Sequence, residues 1–321
     1  MSTSCYLGID TSNYTTSVAV ASEAGQILAN LKAPLPVKDG ERGLRQSDAL
    51  FAHTKNLPSL MEQLRTILHE GEIPLQIRGV GYSSRPRSVQ GSYMPCFLAG
   101  VSTAKAIVAA TGAQEVELSH QDGHIMAAMY SAGAIDTLLR APFAAFHVSG
   151  GTTELLYVQP EGRAFTVRLL GQSLDLHAGQ AVDRIGVAMG MHFPCGRAME
   201  AAAATCVGKV PKPRVSVKGC DAHLSGLENL ALDLYRKTND IPLTAAYTLD
   251  FIAATLLKMC DGVRDAYGDL PLLFAGGVMS NRRIQGMIAA RYPSAHFSAP
   301  EYSADNAAGV ALLCRRALLA E

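Results

Sequence analysis

Apolar positions along this chain follow two rhythms, short strand-like runs and longer segments with helical spacing. Cys5–Asp10, Thr16–Ala21, Ile77–Ser83, Glu115–Leu118 and Phe143–Val148 are brief runs bounded by polar or glycine-rich turns, which predicts strands. Ser47–Glu70 carries Leu50, Leu57, Leu60, Leu64 and Ile67 at the spacing of one helical face. Phe97–Thr111 is a helix rich in small residues, and His124–Ser131 continues as another. In the second half, Ala178–Met189 and Gly196–Ala204 predict helices around the turn His192-Phe193-Pro194-Cys195-Gly196. Lys209–Gly219 is a loop with two prolines and four basic residues, and Leu243–Arg264 is a long apolar helix. Pro271–Ala275 is a buried strand that runs into Gly276-Gly277-Val278 and then a helix containing Asn281. A strand–Gly-Gly–helix junction of this kind offers backbone N–H groups to an anion. Tyr302–Asn306 opens the last helix, and Ser303 or Asp305 could serve as its cap.

One design occurs twice. A strand ending at Asp10 meets the turn Thr11-Ser12-Asn13-Tyr14-Thr15, and Phe143–Val148 meets Ser149-Gly150-Gly151-Thr152-Thr153 before Glu154–Val158 returns. Turns with small residues, hydroxyls and free N–H groups can wrap a phosphate, although each is also an ordinary polar hairpin turn when taken singly. The repetition, with alternating helices and strands between, predicts a duplicated α/β architecture with a ligand between two lobes. The boundary is expected at Leu138–Pro142. That gives residues 1–140 as the N-terminal lobe and 141–305 as the C-terminal lobe, with 306–321 as a helix returning to the first.

Ser119-His120-Gln121-Asp122-Gly123-His124 adds chemistry to this frame. Two histidines at i and i+4 share one helical face, so both imidazoles can reach one metal ion. A metallopeptidase helix of the H-E-x-x-H type is excluded, because Gln121 follows the first histidine. The 28 basic and 28 acidic residues cancel, so contact with nucleic acid would need a local patch. Seven scattered cysteines without a C-x-x-C spacing fit a reducing compartment. No charged and apolar leader is visible, and no apolar stretch approaches the roughly 20 residues that span a bilayer. A cytoplasmic protein with no membrane partner is expected. The chain's 321 residues are enough for two domains.

The segments LGIDTS, HQDGH, VSGGTTEL, AGQAVDR, FPCG, LSGLEN, AGGVMSN and ADNAAG, in this order, resemble the threonylcarbamoyltransferase family over nearly the whole chain. That family makes threonylcarbamoyladenosine in tRNA, was once described as O-sialoglycoprotein endopeptidase, and has the two-lobed actin-like, sugar-kinase-like and Hsp70-like ATPase fold. The resemblance implies a mixed sheet flanked by helices in each lobe. It also implies one divalent metal, Fe(II) or Zn(II), on His120, His124 and Asp305, a ligand set suited to either ion. An adenine nucleotide, ATP or threonylcarbamoyl-AMP, is implied at His147, Val148, Ser149, Gly150, Gly151, Asp183, Gly196 and Asn281. His147 is also a candidate extra ligand, or simply a strand histidine, and Gly196 could be no more than a turn residue after Pro194. The implied partners are tRNA, a smaller paralogue and an ATPase.

The chain departs from the family pattern at its acids. The family's Ser-Cys-Asp-Glu-Thr is Ser12-Asn13-Tyr14-Thr15-Thr16 here, and its Gly-Pro-Gly loop is Arg85-Pro86-Arg87. Its Gly-Glu pair ends in Gln180, its second consecutive aspartate is Leu176 after Asp175, and its Ser-Gly-Leu-Lys ends in Glu228. Gln180 keeps the shape of glutamate but cannot take a proton. Arg85 and Arg87 add fixed positive charge, and with Lys209, Lys212, Arg214 and Lys218 could touch a tRNA backbone. No catalytic residue is assigned. Three functions follow from the resemblance: transfer of threonylcarbamoyl to a tRNA adenosine, carbamoylation of another acceptor by a divergent paralogue, and a non-catalytic nucleotide-binding subunit.

Overall fold

The structure is a computed structural model, and it describes residues 3–12, 14–36, 44–69, 75–89, 91–303 and 305–319. In chain order come β1 (Thr3–Ser12), β2 (Thr15–Ser22), β3 (Ile27–Pro34), α1 (Gln46–His69), β4 (Leu75–Arg85), α2 (Leu98–Thr111), β5 (Gln114–Ser119) and α3 (His120–Ser131). Next are α4 (Ile135–Leu138), β6 (Phe143–Val148), β7 (Thr153–Glu161), β8 (Ala164–Gln172), α5 (Ala178–Ala188) and α6 (Gly196–Ala204). The chain continues through β9 (Ser216–Lys218), β10 (Asp221–His223), α7 (Ser225–Thr238) and α8 (Ile241–Tyr267). It ends with β11 (Leu272–Ala275), α9 (Arg282–Arg291), β12 (His296–Phe297) and α10 (Ala308–Leu319).

Two compact units result. One holds Met1–Tyr130, Pro160–Thr166 and Ala304–Glu321, and the other holds Ser131–Gln159 and Val167–Ser303. The division falls at Tyr130, not at Leu138–Pro142. Thr137 of α4 shares a cavity with Cys260 and Val263 of α8, which places the short helix with the second unit.

The first unit's sheet has the order β3-β2-β1-β4-β5. β1 pairs antiparallel with β2 and parallel with β4, and β4 pairs parallel with β5. Leu57, Leu60 and Leu64 of α1 cover the sheet beside Leu7, Ile9, Val18 and Val80. α10 lies against β1 and β4. A Cβ on Gly8 would collide with Ala311, and one on Gly81 would press on Cys314 and the Val310 carbonyl.

The second unit repeats that design. Its sheet runs β12-β11-β6-β7-β8, with β6 antiparallel to β7 and parallel to β11. Phe146 and Phe274 stack at 4.6 Å across the parallel pair, and Phe274 stacks on Phe297 at 5.3 Å. The core continues through α5, α6 and α8. By length and composition α8 could cross a membrane, contrary to the expectation that no stretch is so long and apolar. Its Thr244–Leu249 and Phe251–Ala253 are instead buried inside this unit.

Two local assignments differ from the expected ones. Part of the loop Lys209–Gly219 is β9, which forms a small ribbon with β10. Asn281 lies outside a helix: a 3-10 turn, Gly277–Ser280, intervenes, and the Asn281 side chain caps α9 by accepting the Ile284 N–H at 3.1 Å.

Asp175 ties the start of α7 to the segment after β8. Its Oδ1 accepts from the Leu176, Leu224 and Ser225 amides at 2.6, 2.7 and 3.2 Å, and its Oδ2 accepts the Ser225 hydroxyl at 2.6 Å. Helix α7 has no cap from its own N-cap residue, so this distant carboxylate satisfies its first amides. Burial would raise the Asp175 pKa, but these hydrogen bonds outweigh it and lower the value from 3.8 to about 2. A depressed carboxylate stabilises the fold above its unfolded pKa and loses that contribution as pH falls through the folded value. Asp175→Ala should therefore lower unfolding stability by roughly 2 kcal/mol at pH 7. In urea titrations the difference should shrink towards zero near pH 2, and an undiminished difference there would refute the assignment.

Candidate metal centre and nucleotide cavity

The carboxyl ends of the parallel strands β1, β4 and β5 carry Asp10, Ser83 and the entry to α3. Open α/β sheets bind ligands at this edge. Helix α3 starts where it does because Ser119 and Asp122 form a reciprocal cap. The Asp122 amide donates to Ser119 Oγ at 3.2 Å, and the Ser119 amide donates to Asp122 Oδ2 at 3.1 Å. Ser88 Oγ also donates to that carboxylate, at 2.9 Å. The cap leaves His120 in the first turn and His124 one turn later.

Asp305 precedes α10. Of the two candidate caps, neither fills that role: Asn306 Oδ1 accepts the Ala308 N–H at 3.1 Å, and Ser303 Oγ donates to the Ala299 carbonyl. Asp305 faces the histidines, with Oδ1 lying 3.1 Å from His124 Nε2 and 3.6 Å from His120 Nε2. The imidazole rings meet edge to face at 4.3 Å. One ligand atom from each of the three residues falls within 4.8 Å of the others. Ligand atoms about 2.0–2.2 Å from a shared Zn²⁺ would be separated by less than that, so the group fits a divalent ion.

Asp10 escaped the sequence reading. It is fully buried, and its Oδ1 lies 3.0 Å from His120 Nδ1 while Oδ2 has no hydrogen-bond partner among the described residues. A carboxylate on Nδ1 fixes the tautomer that presents Nε2, the usual support for a ligating histidine. Burial would lower the His120 pKa, but the charges of Asp10 and Asp305 and the hydrogen bond that Asp10 accepts from the ring push it up to about 9. Burial would raise Asp305, yet its hydrogen bond to His124 and the charges of both histidines hold it well below the carboxylate range. The only sequence signal for Asp10 was a charge at the end of an otherwise apolar strand.

In the second unit, the turn after β6 rests on the N-terminus of α5. The Gly179 amide donates to the Ser149 carbonyl, and the Ala178 amide donates to Thr153 Oγ1 at 2.9 Å. A Cβ on Gly179 would strike Gly150. At the end of β11, Gly276 has φ +102°, and a Cβ there would overlap the Val148 carbonyl. Only glycine meets both requirements.

These contacts leave a cavity of about 360 Å³, of a size that holds small ligands. Gly150, Asp183, Gly196 and Asn281 line it, together with Arg197 and Glu200, which sequence reasoning missed. Gly277 and Ser280 add backbone from the Gly-Gly junction. Asp183 Oδ1 accepts the Cys195 N–H at 2.8 Å, and Glu200 Oε1 accepts the Arg282 N–H at 2.7 Å. His147 and Val148 belong to β6, with Val148 fully buried, and Ser149 and Gly151 belong to the adjoining turn. Metal-type ligands are thus brought together in the first unit, and half of the expected nucleotide residues line one cavity in the second.

The altered acidic motif is described only in part, since Asn13 lies outside the described residues. Tyr14 is exposed. Arg85 is no free cation, because it pairs with Glu117 across β4 and β5 at 2.8 Å. Gln180 joins the cap at the start of α5, accepting the His177 N–H.

The sequence pattern of the tRNA N6-adenosine threonylcarbamoyltransferase family matches residues 38–312. The chain belongs to that family. Among solved structures it resembles full-length HypF in a phosphate- and nucleotide-bound form, at 10% identity and a TM-score of 0.59, covering 98% of this chain and 56% of that one. It also resembles the activator of 2-hydroxyisocaproyl-CoA dehydratase from Clostridium difficile with bound ADPNP, at 10% identity and a TM-score of 0.51, covering 98% and 96%. A ROK hexokinase from Thermus thermophilus is similar at 13% identity and a TM-score of 0.51, covering 99% and 100%. These likenesses establish the two-lobed fold of ATPases and sugar kinases. The family makes the chain a transferase of the acyl or carbamoyl kind.

Metal binding must displace the His120 proton, so affinity for Zn²⁺ should rise about tenfold per pH unit and level off near pH 9. Asp10→Asn should weaken binding roughly 10–100-fold and move the plateau towards pH 7. Chelator competition between pH 6 and 9 reads both effects. Unchanged affinity and plateau in Asp10→Asn would remove Asp10 from the centre.

Proposed function

We propose that this protein transfers a threonylcarbamoyl group from an adenylate donor to a tRNA adenosine, with His120, His124 and Asp305 holding a divalent metal. The observation that carries this reading is the family's histidine pair meeting Asp305 with a buried carboxylate behind it. A bound metal would supply Lewis acidity to the carbamoyl and threonyl oxygens. Asp10 keeps His120 Nε2 aimed at Asp305, and the Ser119–Asp122 cap keeps α3 in register for it.

The donor's adenylate belongs to the second unit's cavity. Asp183 keeps one carboxylate oxygen for a ribose hydroxyl, since its other oxygen is taken by the Cys195 amide. Gly150 and Gly277 let backbone approach a phosphate without a side chain in the way. Arg197 and Glu200 lie three residues apart on α6 and give the cavity opposite charges on one face. The smaller paralogue and the ATPase of the family's pathway are the expected protein partners.

Purified protein given threonylcarbamoyl-adenylate and unmodified tRNA should yield the modified nucleoside by mass spectrometry. His120→Ala should lower the rate at least 100-fold while leaving adenine-nucleotide affinity unchanged. Nucleotide binding without transfer to any tRNA would overturn the proposal and leave a binding subunit in its place.

A further inference from the structure

The stretch between Glu200 and Asp221 contains no acidic residue but carries Lys209, Lys212, Arg214 and Lys218. All four are exposed, and none forms an ion pair or side-chain hydrogen bond with a described residue. Several other basic residues of this unit are paired, Arg184 with Glu228, Arg283 with Asp250 and Arg291 with Asp261. Asp221 sits opposite Lys218 in the β9–β10 register, yet its Oδ1 accepts the Gln172 N–H instead. The chain's net charge is zero, so this is a local concentration of unneutralised charge.

The segment is also ordered by its own sequence. From Lys212 to Lys218 exposure alternates strictly: Lys212, Arg214, Ser216 and Lys218 face outward, while Pro213, Val215 and Val217 are half-buried. Val210, Val215 and Val217 pack against the second unit's core. Pro211 and Pro213 restrict the residues before them to extended backbone. Outward positions therefore recur about every 6.6 Å, comparable to the step between successive phosphates of a nucleic-acid strand. A fixed row spends less ordering entropy on a polyanion than a flexible tail does. The row lacks aromatic residues and forms no amphipathic helix, so a bilayer surface suits it less well. Helix α6 starts at the cavity with Gly196, Arg197 and Glu200 and ends, about 13 Å on, at the approach to this segment.

We propose that residues 209–218 form a docking strip for the sugar–phosphate backbone of the acceptor RNA. The inference rests on the transfer reading above and assigns the surface that engages its substrate. Lys212, Arg214 and Lys218 contact successive phosphates, Lys209 extends the row, and Ser216 adds a hydroxyl donor between cations.

The test compares wild type with Lys209→Ser, Lys212→Ser, Arg214→Ser and Lys218→Ser combined, in the full chain. Fluorescence anisotropy with a transcribed tRNA is read between 50 and 200 mM salt, with anionic vesicles and an acidic peptide as alternative ligands. The combined variant should bind tRNA at least tenfold more weakly, and its log–log salt slope should fall by about 3–4. Its adenine-nucleotide affinity should not change. A variant that binds tRNA like wild type with the same slope overturns the strip, even if wild type modifies tRNA. Wild type that binds the vesicles or the peptide more tightly than tRNA also overturns it. Loss of tRNA binding in the variant supports the strip even if wild type transfers nothing, an outcome that would defeat the transfer reading alone.

Discussion

The close approach of α3 to α10 is the contact on which the first unit's chemistry depends. Gly309 sits directly against the Gly123 carbonyl, with no room for a Cβ, and a Cβ on Gly123 would press on Val310. Gly123 lies between the two histidines, and Gly309, in the first turn of α10, follows Asp305 by four residues. The helices must touch backbone to backbone for Asp305 Oδ1 to lie 3.1 Å from His124 Nε2. A methyl group at either glycine would force the helices apart, and a misplacement of 1 Å is enough to spoil a ligand set. The small residues of ADNAAG are therefore a distance constraint as well as a helix start.

Charge follows from that geometry. Asp10 and Asp305 approach His120 from its two nitrogens, at 3.0 and 3.6 Å. Without an ion, the charges of buried Asp10 and half-buried Asp305 favour a proton on the ring. With an ion, the same carboxylates neutralise a cation. Asp10 is fully buried, so removing its charge would be felt more strongly than at a surface site.

Much of this was legible from spacing alone. The histidine pair, the repeated hairpin and most long helices follow from periodicity, and the sheet orders β3-β2-β1-β4-β5 and β8-β7-β6-β11-β12 make the repetition concrete. Asp305 entered as a ligand only through the family resemblance, because 181 residues separate it from His124 and no local pattern links them. Asp10 was hidden for the same reason, 110 residues from its partner. Arg85 read as a free cation because its neutralisation by Glu117 depends on the pairing of β4 with β5, which spacing does not reveal. Asn281 was placed inside a helix because Gly277–Ser280 continues the helical rhythm as a tighter turn. Arg197 and Glu200 carry no sequence signal beyond their place in a predicted helix, and only the packing of α6 places them on a cavity.

X-ray absorption spectroscopy of the protein loaded with one equivalent of Zn²⁺ or Fe²⁺ tests the metal centre most directly. Two imidazole nitrogens and at least one carboxylate oxygen at about 2.0–2.2 Å are expected, with the imidazole signal halved in His124→Ala. A sulfur shell near 2.3 Å, or an ion lost on gel filtration at pH 8, would contradict a centre built from His120, His124 and Asp305.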